Sequence, residues 1–576
     1  MNIEDPPYRS PALRLLRHFS PLLLYTGFAV VLGTVVYGVD YVPALRLREM
    51  LKSAVPAVLA VDLMLVLFGL LLCAGDLAGI FSSMTKRQGA ALFMVVLAAG
   101  AIAAFAVPRT HRIYYDEDIY ANVGQTIAAT GDAAYANYGF FEHEAYKPIW
   151  TEYNKEPAGW PFLLSFFFRI FGTDEIFLFV ANNLLFAGSV LIVFFITRRL
   201  TAAFFPSLAA AAIYGLIPHN LIWSNTGAVE PSAAFFAGAV VLTALVFLES
   251  GQNRHLFLLS VLLPMACYMR PESMMIFFWT VAAMLTVRPK VFTQARGWSG
   301  ALVAAAFLVP LALHLHAVGG ESWGAEGVKF SRAFAAANLA VNGPYYFNNV
   351  EFPAAFSIFA LIGLVAGKAR ADLRFLVLLW FALFWSIFLY FYAGSYNFGA
   401  DDRFALLSFA PLAVLAGSGV GRLRDLAVFR VGNRVASVLA MAVLVAVALP
   451  FLPQVLTVGQ EAWASRFDHR YAHRFAEELP VRSVTLTHNP SMFLLWGRGA
   501  AQAFAGVTAE ETVKDMLRRF SGQVYFHYDY WCNTPSVRNR RLCSEIMTRW
   551  DMELVDRATE KDYTYALYRI KGKKQD

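Results

Sequence analysis

Acidic side chains that are able to exchange protons lie at the boundary of a long apolar segment. Asp116, Glu117 and Asp118 follow one another directly after an apolar run that ends near residue 107. Adjacent carboxylates at such a boundary repel one another and lose solvation, which raises the proton affinity of at least one of them. Such a carboxylate suits a general base that takes a proton from a hydroxyl group. The same acids would also cap a helix predicted at 117–130, because acids in a first turn complement the helix dipole.

Other charged residues also stand at the ends of apolar segments. Lys155 and Glu156 precede the stretch 162–172, which is too short to span a membrane and is typical of an interfacial or re-entrant helix. The remaining charged residues of this kind are Glu230, Arg270, Glu272, Asp402 and Arg403. Each one alone is explained as an interface anchor, and Lys155 as a lysine that extends to the membrane surface. Together they predict a shared cavity, because ionisable groups at such depth face a wet interior.

The composition requires a membrane-embedded framework to position these residues. Of the 576 residues, 58% are hydrophobic and 15% are charged, whereas soluble proteins carry roughly 25% charged residues. A soluble enzyme, a disordered chain and a nucleic-acid-binding module are therefore excluded, and we expect membrane lipids rather than nucleic acid as partners. Helices of membrane-spanning length are predicted near 20–39, 54–75, 90–107, 175–198, 203–218, 229–249, 256–270, 273–288, 298–318, 353–367, 375–393, 404–420 and 435–456.

The distribution of basic residues predicts the orientation of the spans. Lys and Arg collect in alternate loops, as at Lys86-Arg87, Arg198-Arg199 and Arg422 through Arg434, and basic loops stay in the cytoplasm. The loop at 40–53 is the exception. This pattern puts the N-terminus in the cytoplasm of a bacterial-type inner or plasma membrane. The loops 108–174 and 319–352 and the C-terminal segment then lie outside the cytoplasm.

The last part of the chain differs from the rest. Residues 457–576 are rich in charge, with strand-like runs at 483–487, 523–528 and 563–569 and helix-like patterns near 461–478 and 508–520. The sequence thus predicts an all-α polytopic membrane domain at 1–456, with about 13 transmembrane helices, and a small C-terminal α/β extracytoplasmic domain at 457–576. Cys532 and Cys543 either form a disulfide on this oxidising side or remain free thiols.

Several of these segments resemble a known family in their order and residue types. They are Asp116-Glu117-Asp118-Ile119-Tyr120-Ala121, Thr130-Gly131-Asp132, Lys155-Glu156-Pro157 and Phe167-Phe168-Arg169-Ile170-Phe171-Gly172. This arrangement is similar to the first outer loop of the GT-C class of membrane glycosyltransferases. The resemblance is to the protein O-mannosyltransferase and aminoarabinose (lipid A) transferase group, glycosyltransferase family 39 and its relatives. The order Lys155-Glu156 is inverted relative to the Glu-Lys of that family.

The resemblance implies an enzyme that moves a sugar from a polyprenyl-monophosphate donor to a hydroxyl acceptor on a lipid, a glycan or a protein. Asp116 would be the base, with Glu117 as its substitute. Arg270, Arg403 and Lys155 would stabilise the anionic leaving phosphate. The substrates would contact Glu156, Glu230, Glu272, Asp402, Tyr345 and Tyr346, although Tyr345 and Tyr346 also fit an interfacial aromatic belt. A single displacement would invert the anomeric configuration.

Two questions stay open at the level of sequence. Glu156 with His314 or His316 would form a partial site for a divalent metal, but no ligand spacing here is diagnostic of one. A transporter or lipid-linked sugar flippase remains the main alternative function, and a non-catalytic assembly protein is a further one. Transporter sites lie near the bilayer midplane, often between inverted repeats. No repeat is evident in this sequence, and Asp62 is one of few charges within the spans.

Overall fold

The computed structural model describes residues 11–112, 115–321, 331–390, 401–458, 463–534 and 536–574. Within these ranges the membrane part of the chain is helical. Its α-helices are α1 (Pro11–Tyr41), α2 (Ala44–Leu72), α3 (Ala74–Ser82), α4 (Lys86–Ala101), α5 (Asp116–Thr130), α6 (Gly159–Phe171), α7 (Ile176–Thr201), α8 (Phe204–Leu216), α9 (Pro218–Ser224), α10 (Glu230–Ser250), α11 (Asn253–Cys267), α12 (Met275–Val287), α13 (Ala295–Ala317), α14 (Arg332–Asn342), α15 (Tyr345–Asn348), α16 (Ala354–Ala366), α17 (Ala371–Tyr390), α18 (Phe409–Val431), α19 (Asn433–Ala448) and α20 (Leu452–Val458). Shorter 3₁₀ segments include Pro271–Met274 and Asp401–Ser408, and a π-helical segment, Ile102–Ala106, extends α4.

The predicted membrane spans correspond to these helices. Among the described residues, nine helices are long and apolar enough to cross a membrane, or ten if the bent pair α8 and α9 forms one span. The pair bends by 63°, because Pro218 begins the second helix and has no N–H to continue the first. The predicted segments 256–270, 273–288 and 353–367 are shorter apolar helices, and α6 is the short helix expected after Glu156. The polytopic helical fold is confirmed.

One predicted span ends well before the observed helix does, and parts of two other predicted segments lie outside the described residues. The span predicted at 404–420 continues to Val431, because no helix-breaking residue occurs before Gly432, which has a φ of +79°. Helix α17 is described to Tyr390, so the end of the span predicted at 375–393 lies outside the described residues. The middle of the loop predicted at 319–352, residues 322–330, also lies outside them.

Helix α18 is the central helix of the bundle, and its apolar stretch is completely buried. It packs closely against α16, where Gly363 and Gly419 face the opposite backbone. A Cβ at either glycine would overlap a carbonyl oxygen of the neighbouring helix, so only glycine permits this distance. The tight packing fixes the start of α18, and with it the preceding 3₁₀ segment that carries Asp402 and Arg403.

A seven-stranded sheet joins the loop between α4 and α6 to the C-terminal part of the chain. Its strands are β1 (Ala134–Glu142), β2 (Ala145–Tyr153), β3 (Val484–Thr487), β4 (Gly499–Gln502), β5 (Val524–Tyr528), β6 (Trp550–Glu560) and β7 (Tyr563–Lys573), in the order β2-β1-β4-β3-β5-β7-β6. The pairs β3–β4 and β3–β5 are parallel and the others are antiparallel. The helices α21 (Trp463–Glu478), α22 (Pro490–Leu495), α23 (Ala505–Thr508), α24 (Glu510–Arg519), α25 (Tyr530–Asn533) and α26 (Val537–Arg549) accompany this sheet.

The small C-terminal α/β domain is confirmed in its strands and helices, and the sheet extends beyond it. Tyr138 and Gly139 of β1 pair with Ala501 and Ala500 of β4, so the hairpin of the first loop forms one edge of the sheet. The division of the chain at residue 456 stays a prediction, and the sheet unites strands from both sides of it. Cys532 and Cys543 form a disulfide, which resolves the alternative left open by the sequence.

Candidate active site

Five charged residues form one continuous network at the end of the helical bundle. Arg270 bonds to Glu230 and donates from Nε to Oε2 of Glu272 at 2.9 Å. Nε of Arg403 lies 3.3 Å from Oε1 of Glu230, and its Nη1 lies 3.9 Å from Oδ2 of Asp116. Glu230 therefore bridges the two guanidinium groups. The charged residues at four separate segment ends therefore meet at one place, and the shared cavity expected from the sequence stays a prediction.

Local chain features place each member of the network. Asp116 and Glu230 are the first residues of α5 and α10, where the unpaired N–H groups of a helix stabilise a carboxylate. Arg270 and Glu272 stand in the turn between α11 and α12, which Pro271 breaks. Because all these positions are helix ends on one side of the bundle, the network collects there.

The side chains of the network differ in their exposure. The side chains of Glu230 and Arg270 are 1% and 5% exposed, that of Arg403 is 15% exposed and that of Asp116 is 41% exposed. The ring of Phe404 supports both guanidinium groups, with centroid distances of 4.9 Å for Arg270 and 5.4 Å for Arg403. Among the described residues, neither Nε nor Nη1 of Arg403 has a hydrogen-bond acceptor. A carboxylate and an incompletely paired cation thus share the accessible edge.

Glu156 adds a fourth carboxyl group to this site, after those of Asp116, Glu230 and Glu272. Burial, together with Glu272 and Asp116, raises the pKa of Glu156 to about 7, although Arg270 and Arg403 act against the shift. Gly159 allows the segment that carries Glu156 to pack closely against Tyr268, which lies just before Arg270. The N–H of Gly159 donates to the carbonyl oxygen of Tyr268 at 3.0 Å, and an added Cβ would lie 2.5 Å from that oxygen. The half-buried Lys155 lies directly before Glu156 in the same bend.

Glu117 and Asp118 have partners different from those of Asp116. Glu117 is fully buried and accepts from the backbone N–H groups of Arg112 at 3.0 Å and Gly227 at 2.7 Å. Asp118 accepts from the side-chain amide of Asn489 at 2.6 Å. Burial raises the pKa of Asp118, and the nearby His111 opposes that shift. These two acids attach the start of α5 to the loop before α10 and to the C-terminal part of the chain.

Asp402, Tyr345 and Tyr346 lie in a second cluster of polar and aromatic side chains. The fully buried His219 has its Nδ1 at 2.8 Å from the Tyr345 hydroxyl, 2.7 Å from Glu351 and 3.7 Å from Asp402. The hydroxyl of Tyr346 pairs with Ser408 at 2.6 Å. Tyr345 and Tyr346 are each 4% exposed and pack among aromatic rings, so neither belongs to a surface aromatic belt. This cluster adjoins the charged network through Asp402 and Arg403, which are consecutive.

Four groups of residues bring three potential metal ligands close together, but the pair expected from the sequence is not among those found in the described residues. His314 is buried and His316 is exposed, and His314 Nδ1 pairs with the hydroxyl of Tyr153 at 2.7 Å. The candidate groups are His488 with Cys532 and Cys543, Cys73 with Asp76 and His255, His111 with Glu175 and His469, and His219 with Glu351 and Asp402. The first of them contains the two disulfide-bonded cysteines, which have no thiolate to offer.

The sequence analysis did not single out several residues near the site. Tyr120 lies one helical turn after Asp116, is buried, and is close enough to Glu156, Asp116 and Arg403 for their charges to act on it. His219 and Glu351 were also missed. The available signal was the polar pair His219-Asn220 after Pro218, which interrupts an otherwise apolar run. Glu351 lies in the loop 319–352 and carried no comparable signal.

Comparisons by sequence do not place the chain in a family. A scan against protein-family models gives no match. A search of curated proteins likewise gives no match.

Comparisons by structure give matches over most of the chain. The apo crystal structure of ArnT from Cupriavidus metallidurans aligns with a TM-score of 0.54 at 13% identity, covering 84% of this chain and 98% of that one. The same protein bound to undecaprenyl phosphate aligns with a TM-score of 0.50 at 13% identity, covering 85% and 99%. Archaeal oligosaccharyltransferase AglB from Archaeoglobus fulgidus, in complex with an inhibitory peptide and a dolichol-phosphate, aligns with a TM-score of 0.50 at 12% identity, covering 84% and 74%.

These similarities are too low in sequence identity to transfer an activity, but they establish the architecture. The two ArnT alignments extend over more than four-fifths of this chain and over almost the whole of the ArnT chain. The chain therefore has the fold of the GT-C class of membrane glycosyltransferases.

Proposed function

We propose that the protein is an integral membrane glycosyltransferase that moves a sugar from a polyprenyl-monophosphate donor to a hydroxyl acceptor. The observation that carries this proposal is the open edge where Asp116 meets Arg403 in a GT-C fold. A carboxylate suited to accept a proton stands there beside a guanidinium suited to bind a phosphate. Two of the similar structures hold an undecaprenyl phosphate and a dolichol-phosphate, which supports a donor of this lipid class.

In the proposed reaction the acceptor oxygen attacks the anomeric carbon of the donor sugar. The hydroxyl proton passes to the Asp116 carboxylate, and the bond between the anomeric carbon and the phosphate oxygen breaks. The electron pair of that bond stays on the phosphate, whose developing charge the guanidinium groups of Arg403 and Arg270 stabilise. Attack and departure on opposite faces of the sugar invert the anomeric configuration.

The residues around this pair have supporting roles in the proposal. Glu230 fixes both guanidinium groups, and Arg270 lies behind Arg403 because it is more deeply buried. Lys155, Glu156 and Glu272 would line the donor side. Asp402, Tyr345 and Tyr346 would form the wall behind Arg403. Glu117 is a poorer base than Asp116, because its carboxylate is buried and already accepts from two backbone N–H groups.

We further propose that the site faces the extracytoplasmic side and that the N-terminus is cytoplasmic. The disulfide Cys532–Cys543 lies in the part of the chain that shares a sheet with the first outer loop, and disulfides persist in oxidising compartments. At the other end of α18, a cavity of about 1210 Å³ is lined by Arg87, Lys368, Arg422, Arg424 and Arg434. Such a concentration of basic residues is typical of a cytoplasmic surface.

The proposed acceptor is a lipid, a glycan or a protein. An assay that follows cleavage of the sugar donor works whichever of these acceptors is used. Membranes with and without the chain would be incubated with synthetic polyprenyl-phosphate sugars, and the free polyprenyl phosphate measured by mass spectrometry. We expect release of polyprenyl phosphate only with the chain, accompanied by a new glycosylated product. A flippase would move the donor across the bilayer without cleaving it, so transport without release would reject the proposal.

A further inference from the structure

A second cluster of ionisable side chains lies away from the open edge, where the membrane part meets the C-terminal part. It consists of His111 from the segment after α4, Glu175 immediately before α7, and His469 in α21. The three residues are separated by 64 and 294 positions in the sequence, so only the fold brings them together. The side chains of His111, His469 and Glu175 are 6%, 17% and 19% exposed, respectively.

The donor atoms of these side chains converge on one point. Nε2 of His111 lies 2.6 Å from Oε1 of Glu175, and Nε2 of His469 lies 3.6 Å from the same oxygen. The imidazole rings face one another with centroids 4.8 Å apart. Ligands about 2.1 Å from a tetrahedral Zn²⁺ stand about 3.4 Å from one another. Small side-chain rotations would therefore bring three ligands to a common ion.

Neighbouring side chains contact His111 and Glu175 in a way that is common around bound metal ions. Nδ1 of His111 lies 3.2 Å from Oε2 of Glu117, so a carboxylate stands beside the ring nitrogen opposite to the one that would bind the ion. The indole of Trp496 donates to Oε2 of Glu175 at 3.0 Å, which fixes the second oxygen of that carboxylate. Metal-binding histidines usually donate their other N–H to a carboxylate, and ligating carboxylates are themselves hydrogen-bonded.

Two observations point to a missing positive partner. Nε2 of His469 is buried and has no hydrogen-bond partner among the described residues, although it is directed at Glu175. Three carboxylates, those of Glu117, Asp118 and Glu175, lie within 4 Å of the His111 ring. A divalent ion held by the two imidazoles and Glu175 would place two positive charges beside this group of carboxylates.

We propose that His111, Glu175 and His469 bind one divalent ion of the zinc class, with water at the fourth position. Two imidazoles and a carboxylate suit Zn²⁺, whereas Mg²⁺ and Ca²⁺ prefer oxygen ligands alone. The ion would join α21 to the segment that leads into α5. It would thereby hold the helix that begins with Asp116 against the C-terminal part of the chain. This site is separate from the proposed sugar-transfer chemistry and does not depend on it.

Metal content of the purified full-length protein tests this proposal. The protein in detergent would be loaded with Zn²⁺, freed of excess ion and measured by mass spectrometry of the elements. The variants His469→Ala and Glu175→Gln should each retain one zinc ion fewer per chain than the wild type. The control His316→Ala removes an exposed histidine outside the cluster and should retain the wild-type amount.

Two further readouts keep the test decisive if a variant folds poorly. Wild-type protein loaded with Co²⁺ should show the intense visible absorption of a four-coordinate site. Chelator treatment should lower the melting temperature of the wild type and of His316→Ala, but not that of His469→Ala. Failure of the wild type to retain an ion, or equal retention by all variants, would overturn the assignment. A six-coordinate Co²⁺ spectrum in the wild type would overturn the four-coordinate site proposed here.

Discussion

The elevated pKa of Glu156 predicts a specific dependence of stability on pH. The folded-state pKa of about 7 lies above the ordinary value of 4.5, because burial disfavours the carboxylate. Between these two values the folded protein retains a proton that the unfolded chain has released. The free energy of unfolding contributed by this group therefore falls as pH rises from about 4.5 to about 7, and is constant above.

The size of the effect follows from the difference between the two pKa values. At ~1.4 kcal/mol for each pH unit, it corresponds to about 3 kcal/mol. The variant Glu156→Gln keeps the shape of the side chain and removes its charge. We expect it to exceed the wild type in stability by less than about 1 kcal/mol at pH 5 and by up to about 3 kcal/mol at pH 8.

Thermal or denaturant unfolding of the purified protein in detergent, followed from pH 5 to pH 8, measures this difference. The matched control is Glu142→Gln, which changes an exposed glutamate at the end of β1 and should run parallel to the wild type. If the Glu156→Gln and wild-type curves are also parallel over this interval, Glu156 is ionised in the folded protein throughout, and the assignment of its environment is wrong.

Three further changes probe the site and the fold. Arg403→Gln removes a charged hydrogen-bonding group from the proposed phosphate site. Because such a bond contributes about 1.5–3 kcal/mol, the KM for the polyprenyl-phosphate sugar in the release assay should rise about 10- to 100-fold. An unchanged KM would exclude a contact between Arg403 and this substrate. Gly159→Ala places a Cβ 2.5 Å from a backbone carbonyl oxygen and should destabilise the protein by about 1–3 kcal/mol, whereas Gly89→Ala, with open space around it, should not. Reduction of Cys532–Cys543 opens a loop that the disulfide closes across 11 positions, so the free energy of unfolding should fall by about 3 kcal/mol. The fall would be measured as a lower midpoint of denaturant unfolding. An unchanged midpoint would show that the bond is absent.

The sequence predicts the helical framework because lipid imposes a length on each span. Apolar runs of about 20 residues mark the helices directly, and the charges that interrupt them mark the helix ends. This is why Asp116, Glu230, Arg270 and Arg403 were recognisable before their contacts were known. In a membrane protein, the costly position of an ionisable group is itself the signal.

Contacts between distant segments were not predictable in the same way. The hairpin β1–β2 has no local feature that specifies β4, about 360 residues later, as its neighbour. The burial of Tyr345 and the grouping of His111 with His469 depend on the same long-range packing. Alternating apolar residues define a strand, but the choice of partner depends on surfaces that exist only in the folded protein.

The central claim is that Asp116 removes the acceptor proton beside a cationic phosphate site. Its most direct test is the turnover of Asp116→Asn in the polyprenyl-phosphate release assay, with Asp562→Asn, in the exposed turn between β6 and β7, as the matched control. We predict a loss of about 10²- to 10⁴-fold in kcat for Asp116→Asn, with donor binding retained and the control unchanged. A wild-type rate in Asp116→Asn would contradict the account.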